Sequence, residues 1–374
     1  MTSPAGPRVL LVSHDGYGLG HARRNVRLAA AVHRRAPGAD VTVVTGISSR
    51  LGWLEDGLTT IERVPSVTKG ASGHREGAGR PLAEVLAERS QRFAAVVEQV
   101  RPDVVVVDRH PFGVGGEWRR GLRLAKRAGA AVVLGLRDVL DDPATVRREL
   151  AGPDWDGAAD LLDQVLVYGT PLLCDHQNEY GLDLPLTYCG VVVDTPRPSR
   201  SRRDLLLVCS GGGADGRAVG ELGAHLTLTP GLRETVLVMG PAAAQGRPTD
   251  SQAHVRVVAS VPDCGELYVR AAACLQMAGY NSTYEALAAG LRPILVPRVQ
   301  PRREQVIRAT RLAHLGLADV LDGDATVSDV EWMLRQPRRL APGALRRAGI
   351  RTNGADVAVG HLLSLAGAVA VGVA

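Results

Sequence analysis

Short apolar runs without polar alternation recur along the chain at residues 8–13, 41–45, 104–107, 132–136, 165–168, 187–193, 204–209, 235–240, 255–259, 274–277 and 293–296. Uninterrupted Val- and Leu-rich runs of this length suit strands buried on both faces, as in parallel sheets covered by helices. Between them lie segments with helical periodicity, such as 22–35 and the stretch from Val327 onward. The alternation predicts an α/β protein. Its 374 residues exceed one ordinary core and suit two Rossmann-like domains with parallel sheets facing across a cleft. Residues 194–203, Asp-Thr-Pro-Arg-Pro-Ser-Arg-Ser-Arg-Arg, are polar, basic and proline-bearing, and read as the linker. The predicted division is therefore 1–193, 194–203, 204–350, and a terminal segment 351–374 that returns to the first domain.

The densest chemistry lies in 274–309, which reads strand, turn, helix, strand, turn, helix. Asn281, Ser282 and Thr283 follow Gly279 at a helix start, Gly290 ends that helix, and a second helix begins near Glu304 after Pro297 to Arg303. Both turns open toward one sheet edge, where ligands sit in open α/β folds. Ser282 and Glu285 also spell a capping box, which needs no ligand.

The run Gly-Tyr-Asn-Ser-Thr-Tyr-Glu-Ala-Leu-Ala-Ala-Gly, the strand Pro-Ile-Leu-Val-Pro and then Arg303-Glu304-Gln305 resemble the donor half of glycosyltransferase family 28, which includes the N-acetylglucosaminyltransferase of peptidoglycan lipid synthesis. The resemblance implies the GT-B architecture. It also implies that Glu285 holds the ribose hydroxyls of a nucleotide-sugar and that Glu304 and Gln305 face the sugar. Gly279, Asn281, Ser282 and Arg303 complete this part of the site. Gly18-Leu19-Gly20-His21 matches the family's Gly-x-Gly-His, which implies close approach of sugar and acceptor to backbone at Gly20, with His21 at the reacting centre. Ser210-Gly211-Gly212 matches a glycine-rich loop near the diphosphate, and Val261 stands where the nucleobase is held by backbone. Pro-Ser-Val-Thr-Lys-Gly at 65–70, Asp-Arg-His-Pro-Phe-Gly at 108–113 and Gly-Leu-Arg-Asp-Val-Leu-Asp at 135–141 are similar to a narrower bacterial group of predicted glycosyltransferases.

The residues themselves sharpen this. Asp108 and Asp138 lie just past strand ends in the domain that carries His21. Each of the three is a candidate base for an acceptor hydroxyl, and each carboxylate could equally be a helix cap or a solvated loop acid. The turn at 14–21 is spaced G-x-G-x-G, and Asp40 precedes the second strand instead of ending it, so a nicotinamide or flavin site is disfavoured. No Walker lysine follows the triple glycine. Residues 65–80, with four glycines, read as either a lid or a disordered loop.

Composition narrows the partners. Aromatic residues are only 3%, so base-stacking platforms are not expected. The net charge of +5 comes from arginines scattered along the chain, with lysine only at 69 and 126, which suits small anionic ligands or a weak membrane-surface preference over nucleic acid. Five isolated cysteines with no C-x-x-C pair, and an N-terminus unlike a signal peptide, lead us to expect a cytoplasmic protein, peripheral to a membrane at most. No convincing Asp-x-Asp metal motif is present, and neither a metal nor a cofactor is expected. The expectation is thus an inverting, metal-independent glycosyltransferase moving a hexose from a nucleoside-diphosphate sugar, UDP-linked, to a small-molecule or lipid-linked acceptor of natural-product or cell-envelope biosynthesis. The rivals are a nucleotide-sugar 2-epimerase or hydrolase of the same fold, and a non-catalytic nucleotide-sugar-binding subunit.

Overall fold

A computed structural model describes the chain except residues 1–5, 15–18, 49–50, 70–74, 77–78, 195, 197–202, 212–215, 229, 240–251, 259–260, 262–263 and 373–374. Most of the linker segment 194–203, the middle of the 65–80 loop and Gly212 lie outside the described residues.

The apolar runs form two parallel sheets. In the first, β1 (Arg8–Ser13), β2 (Asp40–Thr45), β3 (Thr60–Arg63), β4 (Val104–Asp108), β5 (Ala131–Arg137), β6 (Gln164–Tyr168) and β7 (Leu186–Tyr188) are arranged β3-β2-β1-β4-β5-β6-β7. In the second, β8 (Leu205–Cys209), β9 (Glu234–Val238), β10 (Val255–Val258), β11 (Ala271–Gln276), β12 (Ile294–Leu295) and β13 (Asp319–Val320) are arranged β10-β9-β8-β11-β12-β13. Each sheet reverses direction of winding between its first and fourth strands, which is where a crevice opens at the strand ends. Register sets what meets there: Ser13 lies opposite Asp108, and Cys209 opposite Gln276. The run at 187–193 stops pairing at Tyr188 because Val192 turns away and forms an isolated antiparallel bridge with Asn353.

Four helices position the site: α1 (Gly20–Arg35), α2 (Tyr280–Ala288), α3 (Glu304–His314) and α4 (Gly354–Gly372). α4 lies on α1, with Arg34 paired to Asp356 at 3.0 Å. Gly290, at φ +75°, supplies the left-handed residue just past α2. The core is unequally shared. The second sheet has an apolar cluster on each face, yet Ala278, Tyr280, Tyr284, Leu287 and Leu312 belong to the core of the first domain. Helices α2 and α3 are thus buried between the domains as well as packed on their own sheet.

Candidate active site

At the first crevice the helical spacing of α1 puts His21, Arg24 and Arg27 on one stripe, three residues apart. Arg24 clamps Asp108 at the end of β4 through two hydrogen bonds, Nε to Oδ2 at 2.9 Å and Nη2 to Oδ1 at 2.8 Å. His21 Nδ1 lies 3.3 Å from Asp108 Oδ1 and 3.1 Å from Arg24 Nη2. Burial pushes the Asp108 carboxyl upward, but Arg24 and His21 outweigh it and hold the group at about 2. It is a permanent anion. The imidazole keeps 20% of its side chain exposed, whereas Asp108 keeps 1%. His14 packs its ring against His21 at 4.7 Å and against His110 at 5.2 Å, and burial pushes its pKa well down, so it is neutral. Arg109 and His110, at φ 30° and 64°, are consecutive left-handed residues, a costly conformation for side chains with a Cβ.

Among the described residues, the turns that follow β8 and β11, Ser210–Gly211 and Met277–Gly279, carry no charged side chain. Ser210 is buried and donates through Oγ to Val238 O at 3.4 Å. Gly211 turns the chain at φ +79°, where a Cβ would stand 3.1 Å from Met277 Sδ. Gly279 precedes α2, and no side chain caps that helix: Ser282 Oγ donates back to Gly279 O at 3.3 Å, so the capping box with Glu285 does not form. The first amides of α2 are consequently open to an anion. Asn281 reaches across to the first domain, donating from Nδ2 to Gly20 O at 3.2 Å. Val261 packs at the edge of the apolar cluster that includes Tyr268 and Cys274.

Between the crevices the buried faces of α2 and α3 meet the first domain through charged groups. Glu285 accepts from Arg27 Nη2 through Oε1 at 2.5 Å, and Arg27 Nε donates to Asp194 at 2.7 Å. Asp138 is sealed: Arg308 donates to both its oxygens at 2.6 and 2.7 Å, Tyr284 Oη donates at 2.6 Å, and the amide of Val139 at 2.7 Å. Burial would raise this carboxyl, and Arg308 and Tyr284 hold it below its ordinary value. The close approach depends on Gly169, whose absent Cβ would lie 2.8 Å from Asp138 Cβ. Glu304 and Gln305 open α3: Arg298 donates to Glu304 Oε1 at 2.7 Å, and its amide to Gln305 Oε1 at 3.2 Å. The side chain of Arg303 is exposed, and its amide donates to Asp141 at 2.8 Å. Among the described residues, no group of three His, Cys, Asp or Glu side chains is arranged to hold a metal.

His21 and Asp108 therefore come together, as do Gly279, Ser282 and Glu285 on α2 and Glu304 with Gln305 on α3. Asp138 is set apart from them, fully buried and bound by Arg308 and Tyr284. The sequence reading missed Arg24, Arg27 and Arg308. Their signal was the spacing: Arg24 and Arg27 follow His21 at three-residue steps, and Arg308 follows Glu304 by four.

No protein-family model and no curated protein matches the chain. Solved structures do match along almost its whole length. The spinosyn forosaminyltransferase SpnP is 17% identical with a TM-score of 0.64, covering 96% of this chain and 99% of that one. SnogD, a glycosyltransferase from Streptomyces nogalater, is 20% identical at 0.59, covering 98% and 100%. MurG of Acinetobacter baumannii is 16% identical at 0.57, covering 97% and 99%. The fold is GT-B. In this GT-B chain the two crevices described above are the walls of the cleft between the domains.

Proposed function

We propose that the protein is a glycosyltransferase that moves a sugar from a nucleoside-diphosphate donor, UDP-linked, to an acceptor hydroxyl, with inversion and without a metal. The observation that carries the reading is the partition of the cleft: proton-handling groups on one wall and, at Ser210, Gly211 and the uncapped start of α2, a cradle of backbone amides on the other. The uncapped start of α2 and the Ser210–Gly211 turn suit a diphosphate, whose charge they meet with amides and a helix dipole. Glu285 has one oxygen on Arg27; among the described residues nothing bonds the other, which suits a ribose hydroxyl. Glu304 and Gln305 face the transferred sugar.

His21 is the base in this reading. In the tautomer that carries its proton on Nδ1, the imidazole donates to Asp108 in place of accepting from Arg24 and presents a bare Nε2 to the acceptor hydroxyl. Asp108 positions the ring and stabilises the imidazolium as the proton arrives; the oxygen freed of that proton attacks the anomeric carbon while the diphosphate leaves toward α2. Asp138, engaged by four hydrogen bonds, is a strut between domains rather than a base. The acceptor is a small molecule or a lipid-linked sugar, and the protein works in the cytoplasm, at a membrane surface where the acceptor is lipid-linked. No helix among the described residues is long and apolar enough to cross a membrane.

The test is a thermal-shift titration with UDP, GDP, ADP and dTDP on the wild type and Glu285→Ala. A ligand at 100 times its dissociation constant adds about 2.7 kcal/mol to stability. Stabilisation by one diphosphate, lost in the variant, supports the donor site and names the base; silence from all four sinks the transferase reading.

A further inference from the structure

Buried arginines in this protein are answered by carboxylates in hydrogen-bond contact. Arg24 has Asp108, Arg27 has Glu285 and Asp194, Arg89 has Glu117 at 3.0 Å, and Arg308 has Asp138. Arg137, at the end of β5 on the ligand edge of the first sheet, is partly buried, with 19% of its side chain exposed, and departs from this. Its Nη2 makes one long bond, 3.4 Å to Leu140 O, and the nearest carboxylate oxygen, Glu304 Oε1, stands at 3.7 Å, beyond hydrogen-bond reach. Its Nε is buried without a partner, and so is Glu304 Oε2. Arg109 stands alongside, its Nη1 on the same carbonyl at 3.2 Å and its Nη2 3.2 Å from Glu149. Burial, and then the repulsion of Arg109, pull the Arg137 guanidinium down to about 9.

A cation whose Nε is sealed without a partner, and whose nearest carboxylate stands at 3.7 Å, is costly to the fold. Its position explains why it is kept, because it faces Glu304, the residue assigned above to the sugar. We propose that Arg137, backed by Arg109, is the subsite for an anionic group, a carboxylate or a phosphate, carried by the sugar or the acceptor that lies beside Glu304. This rests on the donor-site reading above. A neutral hydroxyl would satisfy the Nε hydrogen but leave the cation uncompensated; a planar carboxylate or a phosphate oxygen pair matches the guanidinium fork and does both. Glu304 Oε2, free of other partners, takes a neighbouring hydroxyl. Arg137 belongs to Gly-Leu-Arg-Asp at 135–138, of which only the aspartate has had a role so far.

Two pairs of probes separate the sources of the anion. UDP-glucose is compared with UDP-glucuronate by calorimetric titration, on whichever nucleoside proves to stabilise the protein. Glucose is compared with glucose 6-phosphate in the presence of the bare diphosphate. The charged member of one pair should bind about tenfold more tightly to the wild type, a charge-assisted hydrogen-bond pair's worth. In Arg137→Leu that advantage should disappear while affinity for the bare diphosphate stays, and Arg137→Lys should retain part of it. A preference in the first pair places the anion on the sugar, and one in the second places it on the acceptor. No charge preference in either pair, or one that survives Arg137→Leu, overturns the proposal while leaving the donor site intact. Failure of every nucleoside diphosphate to bind refutes the donor site itself.

Discussion

The two crevices of this molecule are built on the same strand order and hold opposite chemistry. At the end of β1 and β4 the chain places His14, His21, Arg24, Asp108 and His110, a knot of ionisable groups in contact with one another. At the end of β8 and β11 the described residues are serine, glycine and an uncapped helix start, with Glu285 and Glu304 farther along α2 and α3. One topology therefore offers two sites whose chemistry is written by the strand-end residues alone. A fixed anion beside an imidazole suits proton transfer. An array of amides suits a diphosphate that must arrive and leave.

The contrast is open to being broken. Its largest expected consequence is for His21→Ala, which should lower turnover by about 10²–10⁴-fold, the usual worth of a general base, while the melting curve barely moves. Full turnover in that variant would remove proton chemistry from the first crevice. Arg308→Met should cost about 3–5 kcal/mol in urea unfolding, because Asp138 would be buried without its cation, and adding Asp138→Leu should recover most of the loss. A loss of turnover with intact stability would instead return Asp138 to the list of bases.

The acid limb of stability sharpens the same point. Asp108 sits at about 2 in the fold, below its ordinary value near 4. A depressed carboxyl contributes stability above its unfolded pKa and loses it as pH falls through the folded one. Asp108 should therefore account for about 2 kcal/mol lost between pH 4 and 2, and Asp108→Asn should lack that component. The smallest effect belongs to the second crevice: Gly211→Ala should cost about 1 kcal/mol from the left-handed turn and weaken nucleoside-diphosphate binding without altering the pH profile of turnover.

Much of this was legible in the sequence. Unalternating valine runs declared parallel strands, and glycine with small polar residues at strand ends declared the turns. What stayed hidden were pairings across the domains. Ser282 and Glu285 are spaced as a capping box, yet Arg27, 258 positions away, takes the carboxylate. Asp138 looked like Asp108 because both end a strand beside a polar turn. Only the tertiary arrangement, which sends Arg308 and Tyr284 to one and Arg24 with a partly exposed imidazole to the other, sets the two carboxylates apart. Local spacing carries no information about partners that far along the chain. The arginines did leave a trace in their helical spacing, which identifies a stripe but not what it faces.

The most direct test of the partition is calorimetric titration of the stabilising nucleoside diphosphate into wild type, His21→Ala and Glu285→Ala. The account predicts that His21→Ala binds within about twofold of wild type while Glu285→Ala loses at least a factor of about ten, or 1.4 kcal/mol. Equal losses in the two variants, or a loss confined to His21→Ala, would contradict it.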